Sequence, residues 1–327
     1  MNIIKMMFAA VVLVAVLSCA DAGERRTYPC HRLTQAPVVD GKTDDKAWEN
    51  IPEATGFYVY GGGEKYAVEK QTYFKAGWTD DAVYLAVRLE ENTPEKIVAT
   101  AKNGLQIWRE DSIELFFLPS GAPTYTQLTA NSVGSRGNKR ERELDVMDWD
   151  AKATVGKTEW GVELRIPFAV LMAKTPKEGD EWPVNLARNL LTGPADERFS
   201  SWPLLKKNFH DVPNFGRFVF KGMSGDKVAD EEQALNGSYF QDLHEKIRKL
   251  AGRAAGYRQD LINARKSENQ RVEAENLLAI WDQVAKLAAQ SAPDWRELMA
   301  ARHVITNLPQ HSDDCVARMT LEMVFKD

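Results

Sequence analysis

Residues 77–87 read Gly-Trp-Thr-Asp-Asp-Ala-Val-Tyr-Leu-Ala-Val and give the clearest signal of the fold. Apolar residues with a period of two place alternate side chains on opposite faces of a β-strand. This pattern runs from Tyr73 to Trp78 and again from Val83 to Leu89, and the turn-forming residues Thr79-Asp80-Asp81-Ala82 separate the two runs. We therefore expect an antiparallel hairpin here.

The same alternation recurs along the chain as far as Phe220. It predicts further strands at 112–117, 160–166, 184–187 and 217–221. In the first of these, Leu115 and its apolar neighbours face one way, whereas Glu114 faces the other. Many short strands separated by turn signals are typical of a β-sandwich or jelly roll. We expect Trp78, Trp160 and Trp182 to pack in or at the ends of this sheet.

The alternating pattern ends near Ser224-Gly225 and gives way to a helical period. The predicted domains are therefore a mainly β sandwich at 31–222 and an α-helical bundle at 228–327. Because helices of this kind pack on one another, a spacer or docking role is favoured over a catalytic one, with a protein as the partner of this helical tail.

Within the helical region, apolar residues at steps of three and four predict one long helix from Tyr239 to Ala264 and a second at 268–290. A third helix is expected to begin near Pro293, which is favoured in a first turn, and to stop at Pro309. Residues 313–326 fit either a strand or a short helix.

The N-terminal residues 1–22 have the pattern of a secretion signal, with Lys5 before an apolar stretch that is too short to span a bilayer. Val16-Leu17-Ser18-Cys19 fits a bacterial lipobox with Cys19 as the lipidated residue, and Ala20-Asp21-Ala22 offers a competing cleavage site. We therefore predict an extracytoplasmic protein that is lipid-anchored to the bacterial cell envelope, with plain periplasmic or secreted export as the alternative. In the first case the lipid is the only contact with the membrane.

Charge and cysteine content limit the function further. The formal net charge of −5 and the pI near 5.7 provide no basic footprint for nucleic acid. Three cysteines are too few for a disulfide scaffold or a cysteine-rich metal site. A bridge between Cys30 and Cys315 and two unpaired thiols are both consistent with the sequence.

Several motifs follow one another in a fixed order through about 180 residues. They are Val39-Asp40-Gly41 with Trp48, the hairpin at 78–84, the segments 108–117, 127–131 and 160–168, Asn185, Ser201-Trp202 and Phe215-Gly216. Taken together, these motifs resemble carbohydrate-binding module family 9, a DOMON-like β-sandwich. The resemblance does not extend to the helical region.

The resemblance implies a polysaccharide or oligosaccharide ligand held between two aromatic rings, because a pyranose presents C–H groups to an aromatic face and directional hydroxyls at its edge. It places Trp108 and Phe209 at the two ring positions, with a slot one sugar wide between them that opens to solvent. Glu114 falls at the position of a carboxylate that contacts the sugar. The remaining candidates are the rim residues Asn131, Arg188 and His210, together with Trp202, which fits either packing or sugar contact.

Two departures from the family pattern should weaken or redirect binding. Phe209 stands where the family has a second tryptophan, and Thr129 stands where it has a rim arginine. A phenyl ring lacks the indole donor, and a hydroxyl cannot make the forked hydrogen bonds of a guanidinium. An envelope interaction module on the same fold, without sugar binding, therefore stays open as an alternative.

No enzyme motif occurs in the sequence, so we predict binding without bond chemistry and without a cofactor. A less favoured alternative is a haem-binding DOMON-like redox module with His210 and Met147 as candidate ligands. Asp145, Asp148 and Asp150 could hold a structural calcium ion, although their spacing fits an ordinary acidic loop better.

Overall fold

The computed structural model describes residues 25–60, 67–140, 148–225, 227–267 and 269–324. The chain forms two compact units. The β unit holds the described residues up to Ile51 and those from Phe57 to Gly225, and the helical unit holds Pro52–Gly56 and the described residues after Gly225. The calcium candidate Asp145, the haem candidate Met147 and the predicted lipidation site Cys19 lie outside the described residues.

The described part of the β unit forms one mixed sheet. Its strands are β1 (Thr27–Arg32), β2 (Tyr58–Val59), β3 (Thr72–Trp78), β4 (Ala82–Glu90), β5 (Ser112–Phe117), β6 (Thr126–Asn131), β7 (Arg136–Arg140), β8 (Asp150–Val155), β9 (Glu159–Pro167), β10 (Glu181–Asn189), β11 (Phe199–Ser201) and β12 (Gly216–Met223). They pair in the order β7-β6-β5-β10-β12-β1-β3-β4-β9-β8, and β11 pairs with β10 and β2. Strand β1 is parallel to β12 and β3, and the other pairs are antiparallel. The sheet curls into a nearly closed sandwich, which confirms the predicted fold class.

The predicted hairpin is present as β3 and β4. Trp78 pairs with Val83, and the amide of Thr79 donates to the carbonyl of Ala82 at 3.0 Å. The hydroxyl of Thr79 donates to Asp81 at 2.6 Å, so the short polar residues stabilise the turn as their sequence indicates. Trp78, Trp160 and Trp182 are buried, as expected for sheet packing.

A buried glutamate joins two of the sequence motifs. Glu163 on β9 accepts the indole N–H of Trp48 at 3.0 Å and the backbone N–H groups of Asp40 and Gly41 at 3.0 and 3.1 Å. Gly41 has φ of +90°, and a Cβ there would lie 2.7 Å from the backbone of Ala153. The Asp-Gly and Trp of the first motif are therefore held by the glutamate of a strand more than a hundred residues later.

Strand β5 is buried on both faces. Leu115 and Phe117 face the interior of the sandwich, where Phe117 contacts the ring of Phe218. Phe116 on the other face packs with Phe209 and Phe215, which belong to the long connection between β11 and β12. This connection therefore covers the outer face of β5 and forms a second, smaller apolar cluster there.

The helical unit contains α1 (Val228–Gly252), α2 (Ala254–Ala264), α3 (Arg271–Ala289) and α4 (Trp295–Val324) among the described residues. The single long helix expected at 239–264 is wrong, because the chain breaks at Arg253 into α1 and α2. The second and third predicted helices correspond to α3 and α4, which begin close to the predicted positions.

The expectation that Pro309 ends the third helix is also wrong, since α4 continues through it to Val324. The buried stripe of Ile305, Leu308, Ser312, Cys315 and Met319 keeps steps of three and four across the proline. Burial of this stripe outweighs the backbone hydrogen bond that proline removes. Residues 313–324, which the sequence left open, are therefore helical.

A short segment before β2 belongs to the helical unit. Residues Glu53 and Thr55 lie in this segment, and Asn236 of α1 accepts the amide of Thr55 and donates to the carbonyl of Glu53, both at 2.8 Å.

Cys30 and Cys315 are free, buried thiols, so the predicted alternative of a bridge between them is not formed. No helix within the described ranges is both long and apolar enough to cross a membrane.

Candidate functional site

A cleft of about 320 Å³ lies on the outer face of β5, β6 and β7. The strand registers bring its residues together, since Glu114 pairs with Thr129 of β6 and Ala187 of β10, and Gln127 pairs with Lys139 of β7. The cleft is lined by Tyr60, Trp108, Glu114, Gln127, Thr129, Asn138, Lys139, Asn189, Phe199, Asn208, Phe209 and His210. Four of the predicted residues, Trp108, Glu114, Phe209 and His210, therefore line one cleft.

The floor of the cleft is polar. Glu114 is only 4% exposed, and its carboxylate accepts the side-chain amides of Gln127 and, at 2.9 Å, of Asn189. Burial raises the pKa of Glu114, and these two hydrogen bonds oppose the rise without cancelling it. The side-chain oxygen Oδ1 of Asn189 is buried and has no hydrogen-bond partner among the described residues. The floor thus offers oxygen acceptors to a ligand that brings donors.

One wall of the cleft is aromatic. The ring of Phe209 packs edge-on against Tyr60 at 5.0 Å and Phe199 at 6.1 Å, measured between ring centroids. Asn185 donates to the carbonyl of Phe209 at 2.9 Å and so fixes the backbone of this segment. Phe209 is only 7% exposed. The expected slot with two rings open to solvent is therefore not formed, because Phe209 contributes a wall that is largely covered.

Trp108 is the exposed tryptophan of the site, with 43% of the residue accessible to solvent. It belongs to a 3-10 turn at Leu105–Arg109 that precedes β5. Glu110 directly follows this turn and ties it to the preceding segment, because its carboxylate accepts the amides of Thr100 and Ala101 at 2.8 and 2.7 Å. Burial alone would raise the pKa of Glu110, but these bonds, with others from Thr100 and Asn131, lower it below its usual value. A charged, buried carboxylate thus positions the Trp108 turn.

A glycine on β7 brings the loop before Trp108 close to the sheet. A Cβ at Gly137 would lie 2.1 Å from the carbonyl oxygen of Gly104, a clash with backbone rather than with a flexible side chain. The amide of Gly104 in turn donates to the carbonyl of Arg136 at 3.1 Å. This close approach requires glycine at position 137.

The far side of the cleft carries groups that titrate or are charged. His210 shares a hydrogen bond of 2.8 Å with the hydroxyl of Tyr125. Burial, together with the positive charge of Lys139, lowers the pKa of His210. The imidazole is therefore largely neutral near pH 7, and in this form one ring nitrogen can donate a hydrogen bond and the other can accept one.

Three predicted site residues do not line the cleft. Trp202 is 0% exposed and packs edge-on against Phe74 at 5.3 Å. Arg188 is buried and donates to the carbonyls of Lys70, Gln71 and Glu90, and burial lowers its pKa to about 10.

Asn131 is also buried. It accepts the amides of Val133 and Ser135 in the turn after β6 and donates to Glu110 at 3.2 Å. All three residues are buried in structural contacts and do not line the cleft, although Asn131 supports the Trp108 turn through Glu110.

Sequence reasoning missed several residues of the cleft. Gln127 and Asn189 could have been found from Glu114. Glu114 pairs with Thr129 and Ala187, and residues two positions apart on a strand point to the same face of the sheet. Tyr60 and Phe199 gave no such signal, since β2 and β11 are only two and three residues long.

The metal and haem predictions find no further support in the cleft. Within the described ranges, no group of three or more His, Cys, Asp or Glu residues could hold a metal ion. Asp148 is exposed, and Asp150 lies 3.8 Å from a guanidinium nitrogen of Arg165. The calcium and haem alternatives both depend in part on residues outside the described ranges.

Comparison with solved structures found chains that are similar to this one. One structure with a similar fold is that of a candidate carbohydrate-binding protein from Bacteroides uniformis, with 15% identity, a TM-score of 0.50, and coverage of 60% of this chain and 100% of that one. Two structures of a family 9 carbohydrate-binding module from Caldicellulosiruptor kristjanssonii, in complex with cellotriose and with glucose, share 18% identity. Their TM-scores are 0.47 and 0.46, and they cover 62% and 61% of this chain and 96% and 98% of their own. No curated protein matches the chain.

A family model described as carbohydrate family 9 binding domain-like matches residues 39–223. The match covers more than half of the 327 residues and includes most of the β unit. The protein therefore belongs to the carbohydrate family 9 binding domain-like family.

Proposed function

We propose that this protein binds a saccharide in the cleft above β5 and β6 and makes or breaks no covalent bond. The observation that carries the proposal is an exposed tryptophan beside a buried polar floor, on a fold whose family is defined by carbohydrate binding. A sugar ring would stack on Trp108 and turn its hydroxyl edge toward Glu114.

The floor supports this proposal through its hydrogen-bonding capacity. Glu114 uses one lone pair on each oxygen for Gln127 and Asn189, so further acceptor capacity remains. Hydroxyl groups can donate to these oxygens, whereas an apolar ligand would leave them desolvated and unpaired.

The aromatic wall makes the proposed binding modest. Of the two expected stacking rings, Trp108 is exposed and Phe209 is largely covered, so a sugar can stack on one side only. We therefore expect a dissociation constant on the order of micromolar to millimolar for a single sugar unit. Phe209 would then shape the end of the cleft and exclude water there.

The test is calorimetric titration of the full chain with mono- and oligosaccharides. We expect Trp108→Ala to weaken binding about tenfold or more and Trp108→Phe to retain part of the affinity, because the ring supplies the stacking surface. Val155→Ala, at an exposed apolar residue that does not line the cleft, is the matched control.

Equal affinity in Trp108→Ala and the parent protein would remove this residue from the site. If no saccharide binds the parent protein, the alternative of an envelope interaction module on the same fold takes the place of this proposal.

We also propose that the protein is exported and anchored through Cys19, on the basis of the signal pattern at residues 1–22. Metabolic labelling with a fatty acid in a bacterial host should label the parent protein and not Cys19→Ala. Labelling that persists in Cys19→Ala, or soluble export of the parent protein, would contradict the anchor.

A further inference from the structure

The charged residues around the cleft are mainly cations. The relevant set comprises the residues that line the cleft and their direct neighbours in the chain. Among those whose side chains the structure describes, the cations that reach solvent are Arg109, Lys139, Arg198 and Lys207, and we call them the rim cations. Within the described ranges, the acidic residues of the same set are Glu114 and Asp211, and both are buried.

Contacts place two of the rim cations beside the lining rings. The guanidinium of Arg109 lies 5.1 Å from the centroid of the Trp108 ring, and that of Arg198 lies 5.6 Å from the centroid of Phe199. Lys139 lines the cleft itself, and its charge is felt by His210. Lys207 directly precedes the lining residue Asn208.

No described carboxylate neutralises these four charges. None of the rim cations forms an ion pair within the described part of the chain, although ten other arginines and lysines do. Asp211 is occupied by the amide of Lys206 and the side chain of Asn214, both at 2.8 Å. The positive rim therefore contrasts with a chain whose formal net charge is −5.

We propose that the saccharide bound in this cleft is anionic, with its acidic group at the rim and its hydroxyl edge on the floor. This inference rests on the proposed function and adds the class of ligand. A cleft with charges of one sign at its mouth concentrates ligands of the opposite sign. Because Glu114 lies at the floor, an acidic group would be repelled there and would turn toward Lys139 and Arg109.

In this proposal the polar floor and the rim cations bind different groups of the same ligand. Glu114 and Asn189 offer acceptors to hydroxyl groups, and the rim cations offer donors to a carboxylate or a sulfate ester. Carboxylate and sulfate share the chemistry that the rim recognises, so the experiment has to separate them.

The experiment compares three ligands of equal length on the full chain: a neutral gluco-oligosaccharide, an oligogalacturonide and a sulfated oligosaccharide. At low ionic strength we expect at least one acidic ligand to bind about fivefold or more tightly than the neutral one, with the advantage shrinking at high salt. Whichever acidic ligand binds more tightly identifies the acidic group.

Variants test whether the rim carries this preference. Lys139→Gln should reduce affinity for the acidic ligand by about threefold or more beyond any loss for the neutral ligand, and Lys139→Arg should restore most of it. Lys174→Gln, at an exposed lysine that does not line the cleft, should leave the preference unchanged.

The outcomes separate this inference from the proposed function. Binding of the neutral ligand with equal or higher affinity at low salt would overturn the anionic ligand and leave saccharide binding intact. An acidic preference that survives in Lys139→Gln and in Arg109→Gln would also overturn the role of the rim. Failure of all three ligands to bind would overturn both proposals.

Discussion

Two buried glutamates in the same sheet are held in different ways. Glu163 accepts an indole N–H and two backbone N–H groups, which are fixed by the fold. Glu114 accepts two side-chain amides and lines a cleft. Burial raises the pKa of both carboxyl groups. Burial alone therefore does not distinguish a carboxylate that could bind a ligand from a structural one, whereas side-chain donors and access to a cleft do.

Removal of Glu163 should have the largest effect on stability. Glu163→Ala leaves the N–H groups of Trp48, Asp40 and Gly41 without their acceptor, and we expect a loss of about 3–5 kcal/mol in the free energy of unfolding. Urea unfolding followed by tryptophan fluorescence measures this loss. A change below about 1 kcal/mol would mean that water replaces the carboxylate and that Glu163 is not the joint between the two motifs.

Glu91 provides a third buried carboxylate, with the opposite shift. Its carboxylate lies 2.6 Å from Nζ of Lys70 and accepts hydrogen bonds from Thr93 and Thr192. Burial would raise its pKa, but these partners together lower it to about 2, from 4.5. A lowered pKa in the folded state stabilises the protein above the unfolded pKa and loses that stabilisation as the pH falls toward the folded value.

We therefore expect Glu91 to contribute up to about 3 kcal/mol at neutral pH, lost between roughly pH 5 and pH 2. Unfolding measured over this range in the parent protein and in Glu91→Gln tests the contribution. The variant should be less stable at pH 7 and should show a flatter acid limb. Parallel curves for the two proteins would contradict the shift.

Substitution of Glu114 should have a smaller effect on stability and a clear effect on binding. Glu114→Gln keeps the shape and removes a buried charge, so we expect the free energy of unfolding to change by less than about 1 kcal/mol. The loss of a charged acceptor should weaken saccharide binding about tenfold. Calorimetry and urea unfolding of the same sample separate the two effects, and a stability loss as large as that of Glu163→Ala would remove the contrast.

Much of the fold could be predicted from the sequence, because apolar residues that alternate with a period of two indicate strands and turn residues indicate where the strands end. The hairpin and the sandwich follow from such signals, whereas the grouping of Trp108, Glu114 and Phe209 follows from the resemblance to family 9. Arg188 shows the limit: it lies one residue from the cleft residue Asn189, and a step of one residue moves a side chain to the opposite face of a strand. The burial of Phe209 was not predictable, since Tyr60 lies just after β2 and Phe199 lies in β11, and both strands are too short to show a period.

The smallest predicted effect concerns the pH dependence of binding, and it tests whether the Glu114 carboxylate accepts hydrogen bonds from the ligand. Because its pKa is raised, Glu114 takes up a proton at a higher pH than an ordinary glutamate, and its acceptor capacity falls as the pH drops through that value. Affinity for a neutral oligosaccharide should therefore decline by a few fold toward acid pH.

Other groups of the cleft have to be separated from Glu114 in this measurement. His210 titrates in the same cleft with a lowered pKa, whereas the pKa values of Tyr60 and Tyr125 are raised by burial and by the charge of Glu114, so these tyrosines stay neutral over the acid range. His210→Asn should retain the decline in affinity, and Glu114→Gln should abolish it. A decline that disappears with His210→Asn and persists in Glu114→Gln would transfer the pH dependence to the histidine, and Glu114 would then resemble Glu163 as a structural carboxylate.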